Sequence, residues 1–289
     1  MEGSIKSALF WLHQERVQVS EMKKIGAIVR VTFMGGVRDR TLFGIFILGL
    51  LLLLTIPIFS YFSMRQTTEV AAGYALSVSS LIGLLLTVFM GGNLISRDID
   101  RKGIHTVVTL PISRSQYMIG KFIGLALLLL VSLLILYILA AIAVLLTSLQ
   151  YPPSKPLQWE IYLLVGILEY IMLLVISAVS VLFNSFATST FLPMTLSLAV
   201  YCIGQSTALV KDYLTKAPEA KEISPLVSFL AKGSYYFFPN LSAFDIKNAF
   251  VYSLPVNLPY LMMVLLYGMF YTGVVMFMAT FFFGRRDLT

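Results

Sequence analysis

The hydrophobic positions of the chain fall into six long blocks that short polar stretches separate. Each block is about 20 residues long or longer, which is the length that an α-helix needs to cross roughly 30 Å of hydrocarbon. Proline or charged residues mark most of the gaps. The pattern predicts an all-α, polytopic membrane protein with six transmembrane helices. The predicted spans are 41–63, 72–96, 122–148, 158–183, 188–209 and 257–283.

Composition agrees with this class of protein. Hydrophobic residues make up 58% of the 289 positions and charged residues only 12%, and the mean hydropathy is +0.87. These values exclude a soluble globular enzyme. The single cysteine, Cys202, lies in an apolar stretch, so the chain forms neither an intramolecular disulfide nor a CxxC redox or metal site.

The net charge of +7 predicts topology rather than a nucleic-acid partner, because basic residues near the ends of spans collect on the cytoplasmic side. With the N-terminus inside, 14 of the 21 Lys and Arg residues fall in cytoplasmic segments. We therefore predict a multi-pass protein of the plasma (inner) membrane with both termini in the cytoplasm.

The predicted cytoplasmic N-terminus covers residues 1–40. Residues 1–21 lack the apolar run of a cleavable signal peptide, so the first span is expected to act as an uncleaved anchor. Helical spacing of apolar residues after Lys23 predicts an amphipathic helix in the headgroup plane. A plain cytosolic lead into the first span is the alternative. The apolar positions are Ile25, Ile28, Val29 and Phe33.

Sequence motifs for catalysis and nucleotide binding are absent. The chain contains no GxxxxGK[ST] phosphate loop, GxGxxG, HExxH or GxSxG, and no cluster of His, Cys and carboxylate residues at ligand spacing. We predict no catalytic, cofactor-binding or metal-binding residues. Uphill transport would take its energy from an ion gradient or from a partner subunit.

The connection between the second and third spans is the most informative segment. Residues 96–124 are SRDIDRKGIHTVVTLPISRSQYMIGKFIG, a charged stretch followed by a proline break and an aromatic helix start. Ser113 is the predicted N-cap, with Tyr117 in the first turn. A short helix here would present an apolar and aromatic face to a soluble partner. An ordinary basic cytoplasmic loop is the alternative.

This segment resembles the permease subunits of type 2 ABC transporters, an exporter family with a similar order of residues between spans two and three. The family pattern has an acidic residue, two basic residues and a hydrophobic run. It continues with Pro, a small apolar residue, Ser, Arg, two variable residues, an aromatic residue, two apolar residues, Gly and Lys. The matching positions are Asp100, Arg101, Lys102, Val107, Val108, Pro111, Ile112, Ser113, Arg114, Tyr117, Met118, Ile119, Gly120 and Lys121.

In that family the segment forms a coupling helix that docks on the ATP-binding subunit. The resemblance therefore implies a dimeric permease with two ATP-binding subunits, which bind ATP and Mg, and a second permease copy or a sister permease. Membrane lipids are further partners, and no nucleic acid is expected. The residues to which it assigns coupling are Asp100, Arg101, Lys102, Pro111, Ile112, Ser113, Arg114, Tyr117 and Lys121.

The resulting organisation has three parts. The cytoplasmic N-terminus, residues 1–40, is followed by a transmembrane domain over 41–283 and a cytoplasmic tail over 284–289. The transmembrane domain includes a coupling loop, 97–121, and an external segment, 210–256, in which short helices are expected to lie on the outer surface.

Glu169 lies near the middle of the fourth predicted span, where an uncompensated carboxylate costs a few kcal/mol. One hypothesis is that Glu169 lines a translocation path or titrates during transport. In that case the alternative to an ATP-driven exporter is a secondary transporter or channel that uses an ion gradient through Glu169. The other makes it a protonated carboxyl that is hydrogen-bonded to a neighbouring helix. An intramembrane enzyme would need several convergent catalytic groups. The partners considered for Glu169 are Tyr170, Ser177, Ser197 and Tyr201.

Overall fold

The computed structural model describes residues 23–62, 66–100, 113–153, 155–187, 189–216, 233 and 237–285. All regular secondary structure in these residues is helical, which confirms the predicted class. The helices are α1 (residues 23–37), α2 (Arg40–Leu54), α3 (Ile56–Tyr61), α4 (Thr67–Asp100), α5 (Arg114–Gln150), α6 (Trp159–Phe186), α7 (Phe191–Lys216), the 3-10 turn η1 (Ser242–Phe244), α8 (Lys247–Val251) and α9 (Leu258–Arg285).

Five helical segments of the described chain are long and apolar enough to cross a membrane. They match the first four predicted spans and the sixth. The fifth, predicted at 188–209, is helix α7, which is 26 residues long. Helix α7 is not among the five, and some of its side chains beyond Thr207 lie outside the described part of the chain. Six spans therefore remain a prediction. The five segments are Arg40–Ser60, Thr67–Leu94, Arg114–Gln150, Trp159–Phe186 and Leu258–Arg285.

The first span is interrupted near its C-terminal end. Thr55 separates α2 from α3, and a proline, Pro57, occupies the first turn of α3, where its missing N–H costs little. The hydroxyl of Thr55 donates to the Leu52 carbonyl at 2.6 Å and lies 2.8 Å from the hydroxyl of Tyr74 on α4. The break is thus fixed to the neighbouring span.

Helix α6 is the central element of the fold. It packs against α4, α5, α7 and α9, and from Ile171 to Val181 nearly every residue is buried. A helix that is apolar on all sides suits such an interior position. Helix α9 instead exposes large apolar side chains, including Phe270 and Phe277, as expected of a face that lipid or another chain covers.

Helix α1 packs against the beginning of α5 through two glycines. A Cβ added at Gly120 would lie 2.9 Å from Ile28, and one at Gly124 would lie 2.6 Å from Thr32 and 3.0 Å from the Val29 carbonyl. The two glycines at i and i+4 therefore allow this close approach. Apolar residues on which the prediction of α1 was based take part in this contact. The position of α1 in the headgroup plane remains a prediction.

Substituting Gly124 with Leu is expected to detach α1 from α5. Trypsin should then cleave after Arg30 several-fold faster in detergent, because local opening exposes the helix to the protease. Gly44→Leu is the matched control, since a Cβ at Gly44 meets nothing within 4 Å. Equal cleavage rates in the two variants would show that the glycine contact does not hold α1.

The two ends of the helical bundle can be assigned from contacts. Helix α1, the start of α5 and the end of α9 lie at one end, where Arg114 donates to the Gly284 carbonyl at 3.0 Å. At the other end, the Leu241 N–H donates to the Gly204 carbonyl at 3.1 Å, and α8 packs against α4 and α6. Helix α1 and the last turn of α9 therefore share one side of the bundle.

The predicted external segment, 210–256, is partly helical. Helix α7 continues to Lys216, so the segment begins later than expected, and residues 217–232 lie outside the described part of the chain. Within 237–257 the two short helices η1 and α8 cover the bundle end. Phe250 of α8 is fully buried beside Trp159 and Tyr162. The described residues thus include short helices at this end of the bundle, and their position on the outer surface stays a prediction.

Candidate coupling site and a buried carboxyl

The structure describes part of the predicted coupling segment. The side chains of Ser113, Arg114, Tyr117 and Lys121 are described, and Asp100 is described as the last residue of α4. The remaining predicted coupling residues lie outside the described part of the chain. They are Arg101, Lys102, Pro111 and Ile112.

Ser113 caps the N-terminus of α5, as the sequence predicts. Its hydroxyl accepts from the Gln116 N–H at 3.2 Å, and the Gln116 side-chain oxygen accepts from the Ser113 N–H at 3.0 Å. This reciprocal capping box satisfies two of the free N–H groups that begin a helix. The start of α5 is therefore defined by its local sequence.

The helix that begins here is not a separate short helix. It continues for 37 residues as the third span, and α4 continues to Asp100. The connection between the two long helices is accordingly shorter than the predicted loop, 97–121. Residues 114–121 form the first turns of α5, so a force on the preceding connection would act directly on a membrane-spanning helix.

Tyr117 faces the protein interior rather than the cytoplasm. Its side chain is 4% exposed, and its ring stacks on Phe283 of α9 with centroids 6.0 Å apart. Lys121 lies one turn later with its ammonium group 5.6 Å from the centre of the Tyr117 ring. The expected exposed aromatic face at Tyr117 is thus not observed, because the ring is used in a contact between two helices.

Arg114 makes the second contact between the same helices. Its guanidinium donates to the Gly284 carbonyl at 3.0 Å, which supplies a partner for a free carbonyl at the C-terminal end of α9. We call the contacts of Arg114 and Tyr117 with Phe283 and Gly284 the α5–α9 clamp. Phe283 is 2% exposed. The clamp joins the start of the third span to the end of the last one.

Glu169 is buried in the centre of the bundle with 3% of its surface exposed. The hydroxyl of Tyr137 on α5 donates to its Oε2 atom at 2.6 Å. Tyr162, two helical turns before Glu169, donates to the Tyr137 carbonyl at 2.6 Å. Glu169 therefore accepts a hydrogen bond from a neighbouring helix, which agrees with a hydrogen bond between this carboxyl and another helix, whereas its protonation stays a hypothesis.

The partner of Glu169 differs from those that the sequence suggested. Tyr170, Ser177 and Ser197 use their hydroxyls to donate to backbone carbonyls. Tyr137 instead comes from the middle of the third span, where its hydroxyl interrupts a long aliphatic run. That isolated polar group in an apolar helix is the signal that could have identified it.

Glu169 does not line any of three cavities that lie between or beside the described helices. One of about 420 Å³ lies beside Pro57 and Tyr151, and one of about 510 Å³ lies beside Tyr260 and Tyr271. The third, of about 300 Å³, lies between α1, α4 and α5.

No group of three His, Cys, Asp or Glu side chains in the described ranges is arranged to hold a metal ion. The α5–α9 clamp consists of a ring stack and a charged hydrogen bond. It contains no nucleophile with an adjacent base, which acyl or phosphoryl transfer would need.

Comparison with known proteins identifies the family. The family described as "ABC-2 family transporter protein" matches residues 27–288 of the chain. No curated protein is matched. The match spans α1 to the end of α9 and includes both the α5–α9 clamp and Glu169. The chain, a multi-pass membrane protein, therefore belongs to the ABC-2 family of transporter proteins.

Proposed function

We propose that the chain is the permease subunit of an ATP-driven exporter and that separate ATP-binding subunits drive it. Two permease chains, either identical copies or this chain with a sister permease, would form the translocation path with two ATP-binding subunits. Family membership supports a permease of an ABC transporter. The observation that carries the coupling proposal is the α5–α9 clamp.

The clamp gives a route for force from a soluble partner to the spans. A partner that moves the connection before Ser113 moves the start of α5, because the capping box fixes that start. The clamp makes the end of α9 follow. Helix α9 packs along the central helix α6, so displacement at the cytoplasmic end reaches the core of the bundle by helix shifts of the kind that switching proteins use.

Orientation in the membrane follows from charge. Arg114, Lys121 and Arg285 lie at the end of the bundle that also carries α1 with Lys23 and Lys24. Basic residues near span ends favour the cytoplasmic side. We therefore place this end, with both termini, in the cytoplasm, and place η1 and α8 outside, in the plasma (inner) membrane.

ATP and Mg would bind to the partner subunits. The sequence contains no phosphate-binding loop of the GxxxxGK[ST] type, which agrees with a subunit that hydrolyses nothing itself. The coupling residues of the permease then transmit movement, through contacts with the ATP-binding subunit or through contacts between helices of the permease. We assign this role to Asp100, Arg101, Lys102, Pro111, Ile112, Ser113, Arg114, Tyr117 and Lys121.

Purification from a native membrane tests the proposal. We expect an N-terminally tagged chain to co-purify, in mild detergent, with a soluble ATPase of the P-loop type in a one-to-one ratio. Pro111→Ala combined with Arg114→Glu should reduce the bound ATPase about tenfold or more, because reversing an interfacial charge typically costs over 2 kcal/mol. Ser115→Ala, an exposed neighbour, is the control and should keep it.

Two results would contradict the exporter. One is a wild-type chain that purifies without any ATPase and still transports in liposomes when an ion gradient is the only energy source. The other is full retention of the ATPase by the Pro111→Ala, Arg114→Glu variant, which would move the docking surface away from the predicted coupling residues.

A further inference from the structure

The carboxyl of Glu169 is the meeting point of three helices. It extends from α6, accepts from Tyr137 of α5 through Oε2, and faces α4 through Oε1. A Cβ added at Gly83 of α4 would lie 3.7 Å from Oε1. Ser80, one turn earlier, is on the same face of α4 and directs its hydroxyl toward this carboxyl.

Two oxygens at this point have no hydrogen-bond partner. Within the described residues, Glu169 Oε1 and Ser80 Oγ are both buried and unpaired. A buried polar atom without a partner costs roughly 1–3 kcal/mol, so native structures leave few of them. An ionised carboxylate only accepts hydrogen bonds, whereas a protonated carboxyl also donates one. The two atoms can pair in either of two ways: the Ser80 hydroxyl can donate to an ionised Oε1, or a proton on Oε1 can be donated to Ser80 Oγ. The charges and the burial around the carboxyl decide between these two arrangements.

The surrounding charges do not stabilise an anion here. Within the described chain, no Lys or Arg side chain forms an ion pair with Glu169. The charged groups that act on it over a distance are Lys247 and Asp245 of the outer segment, and these are paired with each other at 3.8 Å. The other titratable groups facing it are tyrosines, namely Tyr137, Tyr162 and Tyr201.

We propose that Glu169 is a proton-binding site and that its bound proton, held between Oε1 and Ser80 Oγ, closes a hydrogen-bond network joining α4, α5 and α6. Tyr137 donates to the other carboxyl oxygen, and Tyr162 donates to the Tyr137 carbonyl. The network holds the interior of the protomer together. This proposal is independent of the proposed function, because it concerns the isolated chain and needs no ATP-binding subunit.

Infrared difference spectroscopy tests the protonation state directly. The spectrum of the purified full-length chain at pH 7, minus that of Glu169→Gln, should contain the C=O stretch of a protonated carboxylic acid. Glu160→Gln, in the exposed first turn of the same helix, should remove only carboxylate bands. Loss of carboxylate bands alone in Glu169→Gln would overturn the proposal.

Thermal stability in detergent provides the second measurement. Glutamine donates an N–H where the protonated acid donates its O–H, and it accepts from Tyr137 through its oxygen. Glu169→Gln should therefore unfold close to the wild-type temperature, whereas Glu169→Leu should unfold roughly 5 °C lower or more, because Tyr137 and Ser80 then stay unpaired. Equal loss in both variants would mean that the ionised form is required and would overturn the proposal.

Discussion

Replacing Phe250 with alanine is expected to lower the free energy of unfolding by about 3–5 kcal/mol, the usual cost of truncating a fully buried phenylalanine. The ring has no exposed surface. It lies between Trp159 and Tyr162, with centroid distances of 6.0 and 5.1 Å. Removing the ring leaves a cavity under α8, where α8 contacts the first turns of α6.

This effect can be measured by denaturant titration in mixed micelles. Phe270→Ala is the matched control, because Phe270 is 74% exposed on the outer surface of α9 and its truncation should change stability by about 0.5 kcal/mol or less. A Phe250→Ala variant as stable as Phe270→Ala would show that α8 does not pack on α6 as the structure describes.

The second large effect is expected at Gly268 of α9. A Cβ at this position would lie 2.4 Å from Cγ2 of Ile171 on α6 and 2.9 Å from the ring of Phe244 in η1. Both neighbours are buried, so neither can move away freely. Gly268→Ala should destabilise the protein by roughly 1–3 kcal/mol, which is typical of overpacking a filled core.

Gly273 offers a control for this substitution within the same helix. A Cβ added there meets nothing within 4 Å, and alanine is a better helix former than glycine by about 1 kcal/mol. Gly273→Ala should therefore leave thermal stability in detergent unchanged or raise it. Similar shifts for the two alanine variants would contradict the close crossing of α9 and α6 at Gly268.

The elements that the sequence predicted well depend on local physical properties. An apolar block of about 20 residues must form a helix in lipid, since its backbone polar groups find no other partners, and five blocks appear as such helices. Ser113 could be identified as a cap because a serine that follows the break at Pro111 directly precedes a helical pattern.

Contacts between distant parts of the chain could not be predicted from one sequence. The Arg114 bond to Gly284 joins residues 170 positions apart, and Tyr137 is 32 residues from Glu169. Both contacts depend on the angle and depth at which helices cross, which no local pattern records. Tyr117 was expected on the surface for the same reason, since only the position of α9 explains why its ring is buried.

The length of α5 has a mechanical consequence. Thirty-seven residues correspond to roughly 55 Å of helix, nearly twice the thickness of the hydrocarbon layer. Because the helix is longer than the hydrocarbon layer is thick, a tilt about a point within the bilayer displaces both of its ends. A tilt of about 10° about its midpoint would carry the Ser113 end by roughly 5 Å. A small rotation of this helix in the membrane and a displacement of several ångströms at its Ser113 end are thus the same motion.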